Sequence, residues 1–281
     1  MSEFENTIIM AQNGSAEAQN DLGYMYENGE GVEQDSFEAV RWYRKAAEQG
    51  FAVAQNNLGL LYANGDIVER DYSEAIKWFR KAARQDYAEA FFNIGFMYYN
   101  GYGVEQNSFE ALKYFKISAK EGFAKAQFDL GVMYENGYNV EQDYFEAIKW
   151  YRKAALQGHV NAQNNLGVMY AMGRGTKRDY FKAAKWWYKA AQQDYTEAQF
   201  NLGYMYKNGY GVEQDEIEAA KWYYKAAQHG HAEAQCNLGY MYAIGEGVEQ
   251  SEAEAAKWWR KAALQGHLIA QAALRTLGET W

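Results

Sequence analysis

A leucine or isoleucine followed by glycine recurs every 36 residues along the chain, and this fixed period constrains the fold more than any other feature. The seven pairs are Leu22-Gly23, Leu58-Gly59, Ile94-Gly95, Leu130-Gly131, Leu166-Gly167, Leu202-Gly203 and Leu238-Gly239. No insertion or deletion separates consecutive copies. Because each unit of such an array packs mainly on its neighbours, the period predicts a repeat solenoid and not a single globular core.

Each repeat contains two segments with helical periodicity. In residues 52–64 the apolar and small positions fall on one side at helical spacing, which predicts a first helix that ends at Gly65. Asp71 is a candidate cap for a second helix, with Glu74 three residues later completing a capping box. Residues 75–83 then form a wide apolar stripe. The sequence predicts an all-α protein of about fifteen short helices in antiparallel pairs, with no sheet.

The two ends of the chain each contain half a repeat. Residues 4–13 align with a second helix, and residues 268–277 align with a first helix in which Arg275 replaces the glycine. Terminal repeats are atypical because one of their faces lacks a neighbour. We therefore expect an N-terminal half-repeat cap at 1–15, seven repeats over 16–267 and a C-terminal half-repeat cap at 268–281.

Charge and cysteine content restrict the class of partner and the compartment. A net charge of −9 argues against nucleic acid or an anionic membrane as the partner. No stretch approaches the roughly 20 apolar residues of a membrane span, so we expect no membrane insertion. Residues 1–40 contain no Lys or Arg and no long apolar run, which argues against a signal peptide. The single cysteine, Cys236, forms no intrachain disulfide, and we expect a cytoplasmic protein.

The residues that could carry catalysis or bind metal are few. His159, His231 and His267 occupy the same repeat position, and helices packed about 10 Å apart keep them too far from one another to share one metal. Their alternative role is to cap the first helices. The glycine-rich loops lack the acidic alternation of a cation-binding loop, and no nucleophile lies beside a base in the sequence. We expect no enzymatic activity, no metal site and no cofactor.

The repeat pattern A-x-A-Q-x-x-L-G-x-M-Y-x-x-G-x-G-V resembles the Sel1-like repeat family, a relative of the tetratricopeptide repeats. The resemblance covers essentially the whole chain. It implies a right-handed superhelix of antiparallel helix pairs in which the first helices line a concave surface. Two departures are visible. The paired cysteines of many secreted bacterial members are absent, and glutamate replaces the proline often found two residues before the loop aspartate.

The first helices vary between copies on one face, which the resemblance places in the concave groove. Aromatic side chains concentrate there in the third, fourth and sixth repeats, and exposed aromatic clusters are typical of binding surfaces. The predicted partner-binding residues are Phe92, Asn93, Phe96, Tyr99, Phe128, Val132, Phe200, Asn201, Tyr204 and Tyr240. We expect these rings to be surface residues whose removal leaves the fold intact. Cys236 lies on the same face and is expected to be at least partly accessible.

Two features of the sequence each have two possible interpretations. Asparagines spaced by one repeat, such as Asn57 and Asn93, either bind an extended ligand or hydrogen-bond between neighbouring first helices. Arg174, Lys177 and Arg178 replace the usual acidic loop of the fifth repeat. This secondary basic patch either receives an acidic partner segment or reflects drift of surface residues.

The sequence and the resemblance together predict a protein–protein interaction adaptor that binds a protein or peptide segment in the groove of the first helices. By analogy with family members, an alternative is an immunity or inhibitor protein that neutralises a bacterial toxin. A third hypothesis, an enzyme acting on a β-lactam or peptidoglycan-like ligand, rests on secreted relatives and lacks a catalytic constellation in this sequence.

Overall fold

A computed structural model describes residues 2–65 and 67–279, and within them the chain forms sixteen α-helices and no strand. The helices are α1 (Glu3–Gln12), α2 (Ala16–Asn28), α3 (Ser36–Glu48), α4 (Ala52–Asn64), α5 (Tyr72–Ala83), α6 (Ala88–Asn100), α7 (Ser108–Lys120), α8 (Ala124–Asn136), α9 (Tyr144–Leu156), α10 (Val160–Met172), α11 (Tyr180–Ala191), α12 (Thr196–Asn208), α13 (Glu216–Gln228), α14 (Ala232–Ile244), α15 (Glu252–Leu264) and α16 (Leu268–Thr276). The predicted all-α class of paired helices in 36-residue repeats is confirmed.

The even-numbered helices α2 to α14 are the first helices of the repeats, and the odd-numbered helices α3 to α15 are the second helices. The chain divides into two compact units. One contains residues up to 133 together with 138–141, and the other contains 134–137 together with residues from 142 onward. Within each unit, first helices pack on the second helix of their own repeat and on the second helix of the preceding repeat. In residues 2–65 and 67–279, no helix combines the length and apolar character needed to cross a membrane.

Local signals in the sequence set the helix ends. The Asp71 carboxylate accepts the backbone N–H of Glu74 at 2.9 Å and starts α5. The Glu74 carboxylate binds Lys77 Nζ at 2.9 Å, which differs from the return to the cap backbone predicted by the capping box. Gly65 ends α4 in the left-handed conformation with φ of 77°. The capping prediction therefore holds for the aspartate and not for the glutamate.

The glycine of each first helix permits a close approach of an aromatic ring. A Cβ atom on Gly59 would lie 2.6 Å from the Phe79 ring of the second helix in the same repeat. Five more repeats have the same contact, with Tyr43, Phe115, Trp187, Tyr223 and Trp259 as the rings. These glycines therefore allow close helix approach, which offsets the loss of about 1 kcal/mol in helix propensity that each glycine brings relative to alanine.

Buried glutamines connect consecutive repeats. Gln55 of α4 donates its side-chain N–H to the carbonyl oxygen of Ala47, at the end of the preceding second helix, at 3.0 Å. The same hydrogen bond is made by Gln19, Gln127, Gln163, Gln199, Gln235 and Gln271. The third repeat has Phe91 at this position and therefore lacks this hydrogen bond to the preceding repeat. Its Ser118 hydroxyl donates instead to the Ala88 carbonyl oxygen within the same repeat, at 2.7 Å. The third repeat thus departs from the others in how it is tied to its neighbour.

Candidate functional site

An open cavity of about 410 Å³ lies in the first unit, between the first helices of the second and third repeats. Its lining residues are Leu60, Ala63, Asn64, Arg70, Tyr72, Phe79, Phe92, Asn93, Phe96, Met97, Tyr102 and Lys125. Three of the predicted binding residues, Phe92, Asn93 and Phe96, are therefore brought together here. The volume falls within the range of about 300–1,000 Å³ that is usual for ligand sites.

A set of packed aromatic rings forms one wall of this cavity. Phe96 is 46% exposed and contacts the edge of Tyr102, with ring centroids 6.2 Å apart. Tyr102 in turn stacks on Tyr72 of the preceding repeat, at 4.5 Å and an interplanar angle of 4°. Gly103 makes this approach possible because a Cβ there would lie 2.6 Å from the Tyr72 carbonyl oxygen. The tyrosine stack holds the loop against α5 and leaves the Phe96 ring open to a partner.

Two cations line the cavity, and no carboxylate occurs among its described lining residues. Arg70 is fixed in place, since its Nε and Nη2 atoms donate to the Asn64 carbonyl oxygen at 3.1 and 2.9 Å. Lys125 Nζ lies 4.9 Å from the centroid of the Phe92 ring. In a protein with a net charge of −9, this local excess of positive charge favours a partner with an acidic or otherwise electron-rich group beside an apolar side chain.

The sequence prediction missed Arg70, Tyr72, Tyr102 and Lys125, although a signal for two of them was present. Position 70 holds glutamine in five of the other repeats, at Gln34, Gln106, Gln142, Gln214 and Gln250. Position 125 is glutamate at the equivalent place in four repeats, at Glu17, Glu89, Glu197 and Glu233. Departures from the repeat pattern toward positive charge at Arg70 and Lys125 therefore add two lining residues to the three that the aromatic stripe predicted.

The prediction that Phe92 is an exposed ring is wrong. Its side chain is only 6% exposed and packs between Phe115 of α7 and Phe123, each with ring centroids at 5.4 Å. Residues four apart on an α-helix are offset by about 40°, so Phe92 and Phe96 do not face the same way. This offset places Phe92 in the seam between neighbouring hairpins, where it forms the floor of the site.

Cys236 occupies the same repeat position as Phe92, and the prediction of an accessible thiol is also wrong. The residue is 2% exposed, and burial raises the pKa of the thiol to about 11. The indole N–H of Trp259 donates to the Cys236 carbonyl oxygen at 3.1 Å, which places the ring of the second helix directly over this segment. Asn56 and Asn164 are also buried at the equivalent positions, whereas Asn20, Phe128 and Phe200 are half-buried there, so the position lies in the seam in four of the seven repeats.

Two asparagines of the amide row hydrogen-bond between neighbouring first helices. Asn57 Nδ2 donates to Asn20 Oδ1 at 3.2 Å, and Asn93 Nδ2 donates to Asn56 Oδ1 at 2.8 Å. Of the two alternatives for this row, the structural one is therefore observed at Asn57 and Asn93. Asn93 also lines the cavity, so its amide is both oriented by the fold and available at the site.

The remaining predicted residues of the first unit lie outside the cavity lining. Tyr99 is exposed one turn after Phe96, and its carbonyl oxygen accepts a hydrogen bond from Gln106 Nε2 at 2.8 Å. Phe128 and Val132 of α8 are half-buried. Tyr99 therefore extends the exposed aromatic surface beyond the cavity, whereas the side chains of Phe128 and Val132 expose less of their surface to solvent.

The predicted residues of the second unit are spread over α12 and α14. Phe200 stacks on the ring of His231 at 4.4 Å, and both it and Asn201 are half-buried. Tyr204 and Tyr240 are exposed, and Tyr204 packs beside Tyr210 with ring centroids at 6.0 Å. Among the cavities described in the structure, none joins these four residues as the first unit joins Phe92, Asn93 and Phe96.

The basic patch of the fifth repeat has a packing role for two of its three residues. The Arg174 guanidinium lies 5.9 Å from the Tyr144 ring, where Tyr102 stacks on Tyr72 in the third repeat, and it contacts Glu135 at 3.7 Å. The Arg178 guanidinium lies 5.8 Å from the Tyr180 ring. Lys177 is exposed. Contacts within the protein thus account for part of this patch.

The three histidines at the repeat junctions cap the first helices. Nδ1 of His159, His231 and His267 accepts the backbone N–H three residues later, at 3.3, 3.1 and 3.4 Å. Their predicted capping role is confirmed. In residues 2–65 and 67–279, no group of three or more His, Cys, Asp or Glu side chains is placed to hold a metal ion.

The Sel1 repeat matches seven consecutive segments that together span most of the chain. The matched segments are 16–51, 52–87, 88–123, 124–159, 160–195, 196–231 and 232–267. The chain belongs to the Sel1-repeat family. Sel1-repeat proteins generally act as scaffolds for protein interactions and are usually non-enzymatic. No protein of curated function matches this Sel1-repeat chain significantly.

Two solved structures share both sequence and fold with this Sel1-repeat protein. One is a protective antigen present in uropathogenic Escherichia coli strains, which displays an SLR fold; it is 37% identical, with a TM-score of 0.86 over 99% of the present chain. The chain spans 59% of the length of that antigen. The other is a Sel1 repeat protein from Oxalobacter formigenes, which is 36% identical with a TM-score of 0.70 over 98% of this chain and 80% of its own.

Proposed function

We propose that this Sel1-repeat protein is an adaptor that binds a segment of another protein at the cavity between α4 and α6. The observation that carries the proposal is the half-exposed Phe96 ring on the wall of a 410 Å³ cavity that also presents Arg70 and Lys125. Exposed apolar patches mark interaction sites, and a few anchor residues, often aromatic, carry most of the binding energy of a protein interface. The known activity of the family, scaffolding of protein interactions, agrees with this site.

The cavity supports a defined mode of binding. A large apolar side chain of the partner enters between Leu60 of α4 and Phe96 and Met97 of α6, which removes apolar surface of both chains from water. Arg70 and Lys125 stand at the same cavity and orient a neighbouring carboxylate or backbone carbonyl of the partner.

The walls of the cavity are held in place before the partner arrives. The Tyr72–Tyr102 stack, the two hydrogen bonds of Arg70 to Asn64 and the burial of Phe92 restrict these side chains in the free protein. A preformed site loses less side-chain freedom on binding, and the affinity gains accordingly. As part of the same proposal we place the adaptor in the cytoplasm, since its single cysteine is buried and forms no disulfide.

Site-specific photocrosslinking tests the proposed site. Benzoylphenylalanine placed at position 96 is expected to form a covalent adduct with the partner in lysate of the source cells, and mass spectrometry identifies the attached peptide. The same group at position 37, which is an exposed phenylalanine on α3, is the matched control. An adduct that forms from position 37 as readily as from position 96, or no adduct from position 96, contradicts the proposal.

A further inference from the structure

Positive charge concentrates on two second helices of the second unit. Six cationic side chains and one carboxylate lie on α9 and α11. The cations are Lys149, Arg152, Lys153, Lys182, Lys185 and Lys189, and the carboxylate is Glu146. This excess occurs in a chain whose net charge is −9. The two helices together therefore carry a net positive charge, although the Asp179 side chain that caps α11 pairs with Lys182 at 2.9 Å.

A groove runs along the outer stripe of α9. Phe145 and Leu156 are 70% and 65% exposed, and with Ile148 they line an open cavity of about 440 Å³ whose floor is Tyr170 of α10. The Lys182 ammonium lies 5.4 Å from the Tyr170 ring, which places α11 on the other side of this floor. The exposed Phe145 and Leu156 thus lie about 16 Å apart along the helix, which is the rise of eleven residues, and the half-buried Ile148 lies between them.

The cations of this groove are incompletely neutralised. Lys149 is paired with Glu146 at 2.9 Å, and Lys153 lies over the Trp150 ring at 4.2 Å. The hydrogen bond with Asp179 raises the pKa of Lys182, whereas the positive charge of Arg152 opposes this rise. Lys182 pairs with Asp179 at 2.9 Å, and no carboxylate occurs among the described lining residues of the groove, so an anionic group of a partner would meet Lys149, Arg152 and Lys153 there.

The equivalent groove of the first repeat shows what is particular to α9. There Arg44 donates to the Tyr62 hydroxyl at 2.7 Å, so the arginine is held by the floor of the groove. Glu74 takes the place of Lys182 and brings a carboxylate to the opposite side. The equivalent surface of the first repeat thus differs in charge, and it has Glu48 in place of the exposed Leu156.

We propose that the groove between α9 and α11 binds an acidic amphipathic helix of a partner protein. Phe145, Ile148 and Leu156 meet the apolar stripe of that helix, in the manner of helix-in-groove recognition. Arg152 and Lys182 meet its glutamate or aspartate side chains. The surface lies on second helices of the second unit and is independent of the cavity at Phe96 in the first unit.

Fluorescence anisotropy with a designed probe tests this proposal. The probe is a labelled peptide of about 16 residues, with leucines at helical spacing and glutamate at most other positions, and a control peptide carries lysine in place of glutamate. The glutamate peptide is expected to bind and the lysine peptide is not. Phe145→Ser and the pair Arg152→Glu with Lys182→Glu should each weaken binding at least tenfold. Phe37→Ser, at the equivalent position of α3, should leave binding unchanged.

The variants are chosen so that the folded state is retained. Serine already occupies the position equivalent to Phe145 in the second repeat, at Ser73, so Phe145→Ser should fold. If the double variant Arg152→Glu with Lys182→Glu unfolds, Arg152→Gln is measured in its place. Absence of glutamate-peptide binding, or equal binding by all variants, overturns the proposal. It is also overturned if the groove instead captures phosphatidylserine vesicles, or if Arg152→Glu abolishes a dimer seen by sedimentation, since the occupant is then a lipid surface or a second copy.

Discussion

Phe92 and Phe96 stand one turn apart on α6, and the structure predicts opposite consequences for their replacement by alanine. Phe92 is 6% exposed and makes two ring contacts at 5.4 Å. Replacing a core phenylalanine by alanine lowers the free energy of unfolding by about 3–5 kcal/mol. Because Phe92→Ala also removes two aromatic pairs, we expect its loss of stability to fall within that range. Phe96 is 46% exposed, so Phe96→Ala removes about half of a buried phenylalanine and should cost about 1 kcal/mol.

Urea unfolding followed by circular dichroism measures both variants against the wild-type protein. Repeat proteins unfold by segments, so local stability can be measured by hydrogen exchange. In Phe92→Ala, the backbone amides of α6 and α7 should lose their protection from exchange first. The assignment of Phe92 to the core and Phe96 to the surface is refuted if the two variants lose equal stability. It is also refuted if the free energy of unfolding of Phe92→Ala lies within about 1 kcal/mol of that of the wild-type protein.

Three further substitutions or reactions test the packing. Gly59→Ala should lower stability by about 1–3 kcal/mol in thermal unfolding, because its Cβ would lie 2.6 Å from the Phe79 ring; a more stable variant contradicts the contact. Burial raises the pKa of the Asp129 carboxyl against the influence of Lys125, so the folded protein binds more protons there and should lose stability as pH rises from about 4 toward 7. Asparagine stands at this position in five other repeats, and Asp129→Asn should remove the loss of stability between about pH 4 and 7. If stability depends on pH in the same way in the variant and the wild-type protein, Asp129 is not buried as described. The Cys236 thiol, with its pKa raised to about 11, should react with a thiol reagent only at the rate of local unfolding, and fast labelling of the native protein contradicts its position.

Local chemistry in the sequence was sufficient to predict the fold. The left-handed glycine at Gly65, the cap at Asp71 and the apolar stripe after it each act within a few residues, and the structure has the helix ends where these signals lie. A glycine inside each first helix permits a close approach of another helix, but the sequence alone does not show which ring lies over Gly59. Identifying Phe79 required the packing of the second helix.

The candidate site was predictable only in part because a stripe on one helix does not reveal the seam between helices. Phe92 and Phe96 share a stripe in sequence, yet an offset of about 40° and the position of the next hairpin bury one and expose the other. Tyr102 meets Tyr72 through a loop that crosses to the preceding repeat, and no local pattern encodes that meeting. The departure from glutamine at Arg70 was the sequence signal for this region.

The central claim, that the exposed ring of Phe96 carries partner binding, is tested most directly by calorimetry with the partner captured at position 96. Truncating an aromatic anchor commonly costs about 2 kcal/mol, so Phe96→Ala should weaken the affinity roughly thirtyfold. Phe37→Ala, which removes a more exposed ring from α3, should bind as the wild-type protein does. Equal affinities for the wild-type protein and Phe96→Ala would contradict the assignment of this cavity as the binding site.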